Sequence, residues 1–127
     1  MMYNFFTGEI HYYARHPMGV FTYHTSGGKD IILEYIDNLP KDESALAYAI
    51  LDQLERYGFD ALQYLDTRQV RNKLWEIKFR RQNRIFYVTV EGKNVYLLHA
   101  CKKQKERAEA FEIETAEKRM KEVVKSN

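Results

Sequence analysis

Five basic residues at strand and turn spacing, Lys78, Arg80, Arg84, Lys102 and Lys103, carry the chemistry that this sequence makes available. Arginine stays protonated and can stabilise charge developing on a phosphorane. A lysine crowded by arginines has its pKa pushed down from about 10.4 and becomes a proton acceptor near neutral pH. RNA supplies its own nucleophile, the 2′-hydroxyl. Cleavage at such a site needs a base, an acid and positive charge aimed at a distorted phosphodiester, with neither a metal nor another cofactor.

These residues sit in the most charged part of the chain. Residues 68–107 hold twelve Lys or Arg against Glu76, Glu91 and Glu106, a net +9, while the remaining residues sum to −7 and the whole chain to +2. The same segment contains Trp75, Phe79, Phe86, Tyr87 and Tyr96, so phosphate attraction and base stacking are both on offer. Arg71, Lys73, Arg80, Arg81, Lys102 and Lys105 are candidates for phosphate contact, and Tyr87 for stacking. Three readings stand open on these residues alone: a polyanion-binding surface, a nuclease, and a merely solvated basic face.

The elements that position them follow from periodicity. Leu74 to Arg80 alternates, with Trp75, Ile77 and Phe79 on one face and Glu76, Lys78 and Arg80 on the other. Arg84–Val90 and Val95–Cys101 are the next strands, separated by turns at 81–83 and 91–94, which makes an antiparallel meander. In that meander Arg84 falls beside Lys78 or Arg80, and Lys102 and Lys103 emerge at the sheet's end, so five cations are expected on one concave surface. Upstream, Asp30–Leu39 is a helix stopped by Pro40, and a second helix, capped by Asp42 or Ser44, places Leu46, Ile50, Leu54 and Tyr57 in one stripe and ends at Gly58. The acids of this αα-hairpin, Asp42 and Glu43 among them, are expected to form a solvated face. Glu9–Ala14 and Val20–Thr25 read as short strands, and a final helix carries Ala108, Phe111, Ala116, Met120 and Val123.

Length predicts one domain, residues 1–127, and no apolar run is long enough to span a membrane. The N-terminus lacks the charge and apolar pattern of a signal peptide. A single cysteine, Cys101, excludes an intrachain disulfide and suits a reducing cytosol. Cys101 and His99 share a strand face, but nothing orients the imidazole, and both read as buried structural residues. His11, His16 and His24 match no metal-ligand spacing.

Several patterns in fixed order resemble the RelE/ParE toxin superfamily, in particular its HigB-like, phage-derived branch. They are Asp37-Asn38-Leu39-Pro40, Asn72-Lys73-Leu74-Trp75-Glu76-Ile77-Lys78-Phe79-Arg80, Arg84-Ile85-Phe86-Tyr87, Leu97-Leu98-His99-Ala100-Cys101-Lys102-Lys103 and Glu114-Thr115-Ala116-Glu117-Lys118-Arg119. Residues 1–18 lie outside the likeness, as an extension. The resemblance implies an α+β fold: an N-terminal helical hairpin packed on an antiparallel β-sheet, RelE-like, with a C-terminal helix. It further implies a type II toxin that cuts mRNA in the ribosomal decoding site, is neutralised by a helix-turn-helix antitoxin, and binds operator DNA through the toxin–antitoxin complex. The family's basic positions fall on Lys78, as base toward the 2′-hydroxyl, on Arg84, for the transition state, and on Lys103, for the phosphate or leaving group. A ParE-like gyrase inhibitor without nuclease activity, and a non-enzymatic operator-binding partner, are the alternatives. Glu76 occupies a position that is basic in other branches, and Phe111 is nearest to the family's late stacking tyrosine.

Overall fold

Alternating apolar and charged residues between Leu74 and Lys102 produce three antiparallel strands, β4 (Leu74–Phe79), β5 (Asn83–Val90) and β6 (Asn94–Lys102). A computed structural model describes residues 2–5 and 19–124. The strand expected at Glu9–Ala14, with His11 and His16, lies outside the described residues. Preceding the meander are β1 (Met2–Asn4), β2 (Gly19–Tyr23), α1 (Ile31–Asp37), α2 (Lys41–Tyr57), α3 (Phe59–Tyr64) and β3 (Asp66–Arg71), and α4 (Glu106–Val124) follows it.

The expected N-terminal helical hairpin on an antiparallel sheet is corrected by this order. The described chain starts with strands, the helical hairpin comes after them, and the six-stranded sheet is mixed, in the order β1-β2-β6-β5-β4-β3. β2 lies parallel to β6, with Val20 opposite Val95 and Phe21 opposite Tyr96. All five β2 residues are buried, because this strand has helices on one side, α4's core on the other, and a neighbour on each edge. A strand buried along its whole length, Thr22 included, carries no alternation of burial to reveal its place in a sheet, and a parallel partner 75 residues away (Val20 to Val95) leaves no local turn signal.

The sheet is covered on both faces. Ile32, Ile36, Ala47, Ile50, Leu51 and Leu54 of α1 and α2 pack on Ile77, Phe79, Ile85 and Leu97. On the reverse face, Ala116, with partly buried Ile113, Met120 and Val123, packs α4 on Leu74, Phe86, Val88 and Leu98. Asp30 starts α1 by accepting from the Ile32 and Leu33 amides at 3.1 and 2.9 Å. Pro40, rather than Asp42 or Ser44, occupies the N-cap position of α2 and makes no side-chain cap. The α2 stripe turns slightly from the one expected: Ala47 and Leu51 are buried, whereas Leu46 and Tyr57 are exposed. Among the described residues, no helix is long and apolar enough to cross a membrane.

The parallel junction leaves little space at Gly19, whose amide donates to the Lys93 carbonyl at 2.8 Å. A Cβ there would lie 2.6 Å from Asn94 Oδ1 and 2.8 Å from Phe21 Cε1. Gly19→Ala is therefore expected to lower unfolding free energy by about 1–3 kcal/mol through overpacking. Gly27→Ala, whose nearest neighbour would be Thr25 Oγ1 at 3.9 Å, serves as the neutral comparison in urea denaturation.

Candidate nucleic-acid interface

Strand register gathers the cations at one end of the sheet. Lys78 is paired with Arg84, Asn83 with Lys102, and the Lys103 amide donates to the Gln82 carbonyl at 2.6 Å. The ends of β4, β5 and β6 thus form a single rim bearing Lys78, Arg80, Arg81, Arg84, Lys102 and Lys103. Residues directly opposite one another share a face, and this divides the rim. Lys78 and Arg84 lie on the α4 face with Cys101, whereas Lys102 lies on the helical-hairpin face with Asn83. The five cations share an end of the sheet without converging on one surface.

On the hairpin face the cations are held by acids of α2's first turn. Arg80 is ion-paired with Asp42, and Lys102 Nζ lies 3.8 Å from Glu43 Oε1. Asn83 is fully buried and links the group: its amide donates to Glu43 at 2.8 Å, and its Oδ1 accepts from Tyr35 at 2.6 Å and from Lys102 at 3.0 Å. Burial, reinforced by Cys101 and Glu43, holds the Tyr35 hydroxyl well above its ordinary range, so it remains a donor. Asp42 and Glu43 therefore serve as counter-ions to the rim, at a helix N-terminus that favours acids, rather than forming a wholly solvated face. A cleft of about 400 Å³ opens between Glu43, Arg80, Arg81 and Gln82.

On the α4 face the organising group is Glu76, which is 1% exposed. Its carboxylate accepts from Arg68 Nε at 2.9 Å and lies 3.7 Å from Arg84 Nε. Arg84 Nη1 donates to the Arg81 and Asn83 carbonyls at 2.8 and 3.0 Å, which fixes its fork at the root of the turn. Lys78 Nζ is 3.6 Å from the largely exposed Asp66 carboxylate. The turn itself is unusual. Arg80 and Arg81 both have left-handed backbone, with φ of 51° and 63°, where Asn-Gly or Gly would be the relaxed choice. Strain of this kind, about 1 kcal/mol or more per residue, often accompanies function.

The side chains of Arg81, Lys103 and Lys105 are exposed and have no partner among the described residues. Arg71 and Lys73 lie elsewhere, at the β3–β4 turn, roughly 20 Å from the rim by strand rise. Arg71 is bonded to Glu117 at 3.0 Å, while Lys73 is exposed and unpartnered among the described residues. Tyr87 is buried, with its hydroxyl pushed up to about 12 chiefly by burial and bonded to Thr67. Phe111, by contrast, is exposed on α4. The supporting roles of Asn83 and Glu76 escape sequence reasoning, which places Asn83 in the turn at 81–83 and Glu76 on the strand face away from Ile77, whereas β5 begins at Asn83 and both residues are buried.

Under α4, a ring nitrogen of His99, the Cys101 thiol and a Glu112 carboxylate oxygen lie within 4.8 Å of one another, a donor set that could hold a metal ion. Hydrogen bonding already occupies it. Arg119 donates to His99 Nδ1 at 3.0 Å, which leaves the ring proton on Nε2 to be given to Glu112 at 2.7 Å. A cation would have to displace that proton beside a guanidinium. Burial first, then Glu112, pushes the Cys101 thiol up to about 12, which makes it inert near neutrality.

A three-layer mixed α/β domain with a cationic rim at one end of its sheet is the class that this geometry defines. Residues 34–121 match the family described as Phage derived protein Gp49-like (DUF891), and the chain belongs to that family, which is associated with toxin–antitoxin systems. No curated protein matches the chain.

Removing the buried carboxylate leaves two guanidiniums without their shared partner. Glu76→Ala should cost about 3 kcal/mol in chemical denaturation, the low end for a broken buried pair because Arg68 keeps access to water. His99 supplies a second check. Burial lowers its pKa below 6.5 against the opposing pull of Glu112, with Arg119 adding to the lowering. The unfolded chain therefore takes up the proton first as pH falls, so stability is full above pH 6.5 and declines as pH drops through the folded value. Denaturation midpoints at about pH 7 and pH 5.5 should separate for the wild type and draw together in His99→Gln.

Proposed function

We propose that the protein is the toxin of a type II toxin–antitoxin system and that it acts as a RelE-like, HigB-branch endoribonuclease on ribosome-bound mRNA. The register that pairs Lys78 with Arg84 and closes Lys103 onto Gln82 carries this reading. It unites a flexible amine, a fixed guanidinium and a free cation on adjacent strand ends. Lys78 takes the proton of the 2′-hydroxyl, and the oxygen attacks the adjacent phosphorus. Arg84 meets the charge that grows on the non-bridging oxygens. Its Nη2 is the guanidinium nitrogen left unused by the contacts to Glu76, Arg81 and Asn83. Lys103 orients the phosphate or assists the leaving group by giving a proton to the 5′-oxygen, so that cleavage of the P–O5′ bond leaves a 2′,3′-cyclic phosphate and a 5′-hydroxyl. Arg80, Arg81, Lys102 and Lys105 hold the flanking backbone.

Exposed ion pairs are weak, so phosphates can replace Asp66 at Lys78 and Asp42 at Arg80 at little cost. A cognate helix-turn-helix antitoxin would neutralise the same rim with acidic residues or a docked helix, and the complex would bind operator DNA. The cytoplasm is the setting for all of these partners.

Primer extension on an mRNA translated in a purified bacterial system tests the assignment. Wild-type protein should cut only in the presence of ribosomes, and Arg84→Ala should lose about 100-fold or more of that activity. Arg84→Lys, which keeps the charge but not the fork, should recover only part of it. Intact mRNA under wild-type protein that still arrests growth would overturn the nuclease reading, and cleaved DNA trapped on gyrase would then identify a ParE-like inhibitor.

A further inference from the structure

A second concavity, of about 600 Å³, lies on the hairpin face of the sheet between α3 and the strands β3, β4 and β5. Its walls include Phe59, Leu62, Leu65 and Trp75, with Tyr87 also in the lining. Trp75 is 37% exposed and Phe59 is 45% exposed, even though both belong to elements that pack on the core. The Trp75 indole N–H has no hydrogen-bond partner among the described residues. The sequence places Trp75 on the core face with Ile77 and Phe79, and the structure retains that face, but the short helix α3 leaves the indole partly uncovered.

The lining restricts the ligand. It contains no lysine or arginine, and its one charged residue is Asp66, whose carboxylate is turned to Lys78. Such a surface offers phosphate no cation and suits a neutral group. Flat aromatic and leucine walls suit a planar one. Gln63, Thr67 and Thr89 add an amide and two hydroxyls among those walls, which can read a donor and acceptor edge. The volume fits a small ring system with a sugar. About 15 Å along the same strand, by strand rise, lie Arg80 and Arg81, the cations that a connecting phosphate backbone would need.

We propose that this pocket takes an unstacked nucleobase of the RNA strand whose backbone lies on the cationic rim. The base lies against Trp75 and Phe59, its edge meets Gln63, Thr67 or Thr89, and its phosphates extend toward Arg80 and Arg81. The proposal rests on the RNA-cleaving reading for its ligand, and it makes the hairpin face the part of the protein that senses base identity. A free nucleoside shares the same chemistry and is the competing source.

Trp75 is the only tryptophan in the chain, so its fluorescence reports the pocket directly. Wild-type protein would be titrated with the four ribonucleosides and with a short oligoribonucleotide carrying 2′-O-methyl riboses, which cannot be cut. Saturable quenching by the oligomer, at far lower concentration than by any nucleoside, is expected. Equal affinities for the two would overturn the RNA-strand source and leave a free-nucleoside pocket. Phe59→Ala should weaken oligomer binding by about tenfold or more, as loss of a stacking face does. Tyr64→Ala, which removes an exposed ring outside this pocket, should not. Absence of quenching by every probe, or quenching undiminished in Phe59→Ala, would overturn the proposal, and a protein partner that shields Trp75 would then explain the exposed rings. Ribosome-dependent cleavage measured on the same preparations keeps the two readings apart. Cleavage without quenching removes the pocket alone, and quenching without cleavage removes the nuclease alone.

Discussion

The buried carboxylate of Glu76 is the interaction on which the basic half of this molecule depends. A carboxylate removed from water must be paired and hydrogen-bonded, or it destabilises the fold that buries it. Arg68 and Arg84 meet that requirement from the two neighbouring strands, so the charge of β4 positions side chains on β3 and β5. Arg68 continues outward to Glu109 on α4. One anion therefore orients a guanidinium at the rim and also helps to seat the helix that covers the sheet. With a lysine or arginine at position 76, Arg84 would need a different support.

The charge count of the sequence is accurate, but its distribution in space changes its meaning. The +9 segment meets much of the −7 remainder inside the fold. Asp42 and Glu43 on α2, Asp66 on β3, and Glu109 and Glu117 on α4 each face one of its cations. Most of these pairs are at the surface and weak. They hold basic side chains in place without removing their capacity to exchange a carboxylate for a phosphate. The strand face read from alternation as a continuous basic surface is, in three dimensions, an alternation of paired and free charge.

Legibility followed the range of the interaction. The meander was visible because alternation and turn residues lie within a few positions of one another, and α1 and α2 were visible because helical spacing and the stop at Pro40 are equally local. β3 was missed because its exposed edge positions, such as Arg68, Gln69 and Arg71, give no apolar alternation. The short α3 begins immediately after Gly58, which reads only as the end of a helix. The parallel seat of β2 against β6 depends on two buried strands with no turn between them. At the site, alternation correctly put Lys78 opposite the Ile77 face and missed the division of the rim, because Lys102 changes face only through its register with Asn83. Glu76 and Asn83 were illegible as supports, since their value comes from partners on other strands and helices.

The rim is best understood as a graded set of cations. Arg84 is the most constrained, with its side chain 12% exposed and tied to Glu76 and two carbonyls. Lys78, Arg80 and Lys102 are loosely held by exposed or half-exposed acids. Arg81, Lys103 and Lys105 are free among the described residues. On the proposed reading, a polyanion approaching this end would first meet the free charges, which would lengthen the encounter at no internal cost. It would then displace the weak carboxylate partners, and last reach a guanidinium that is already oriented. On that reading, affinity and positioning fall to different residues. The strained Arg80-Arg81 turn sets its two cations at this end of the sheet, while two hydrophobic cores, one on each face, hold the sheet behind it.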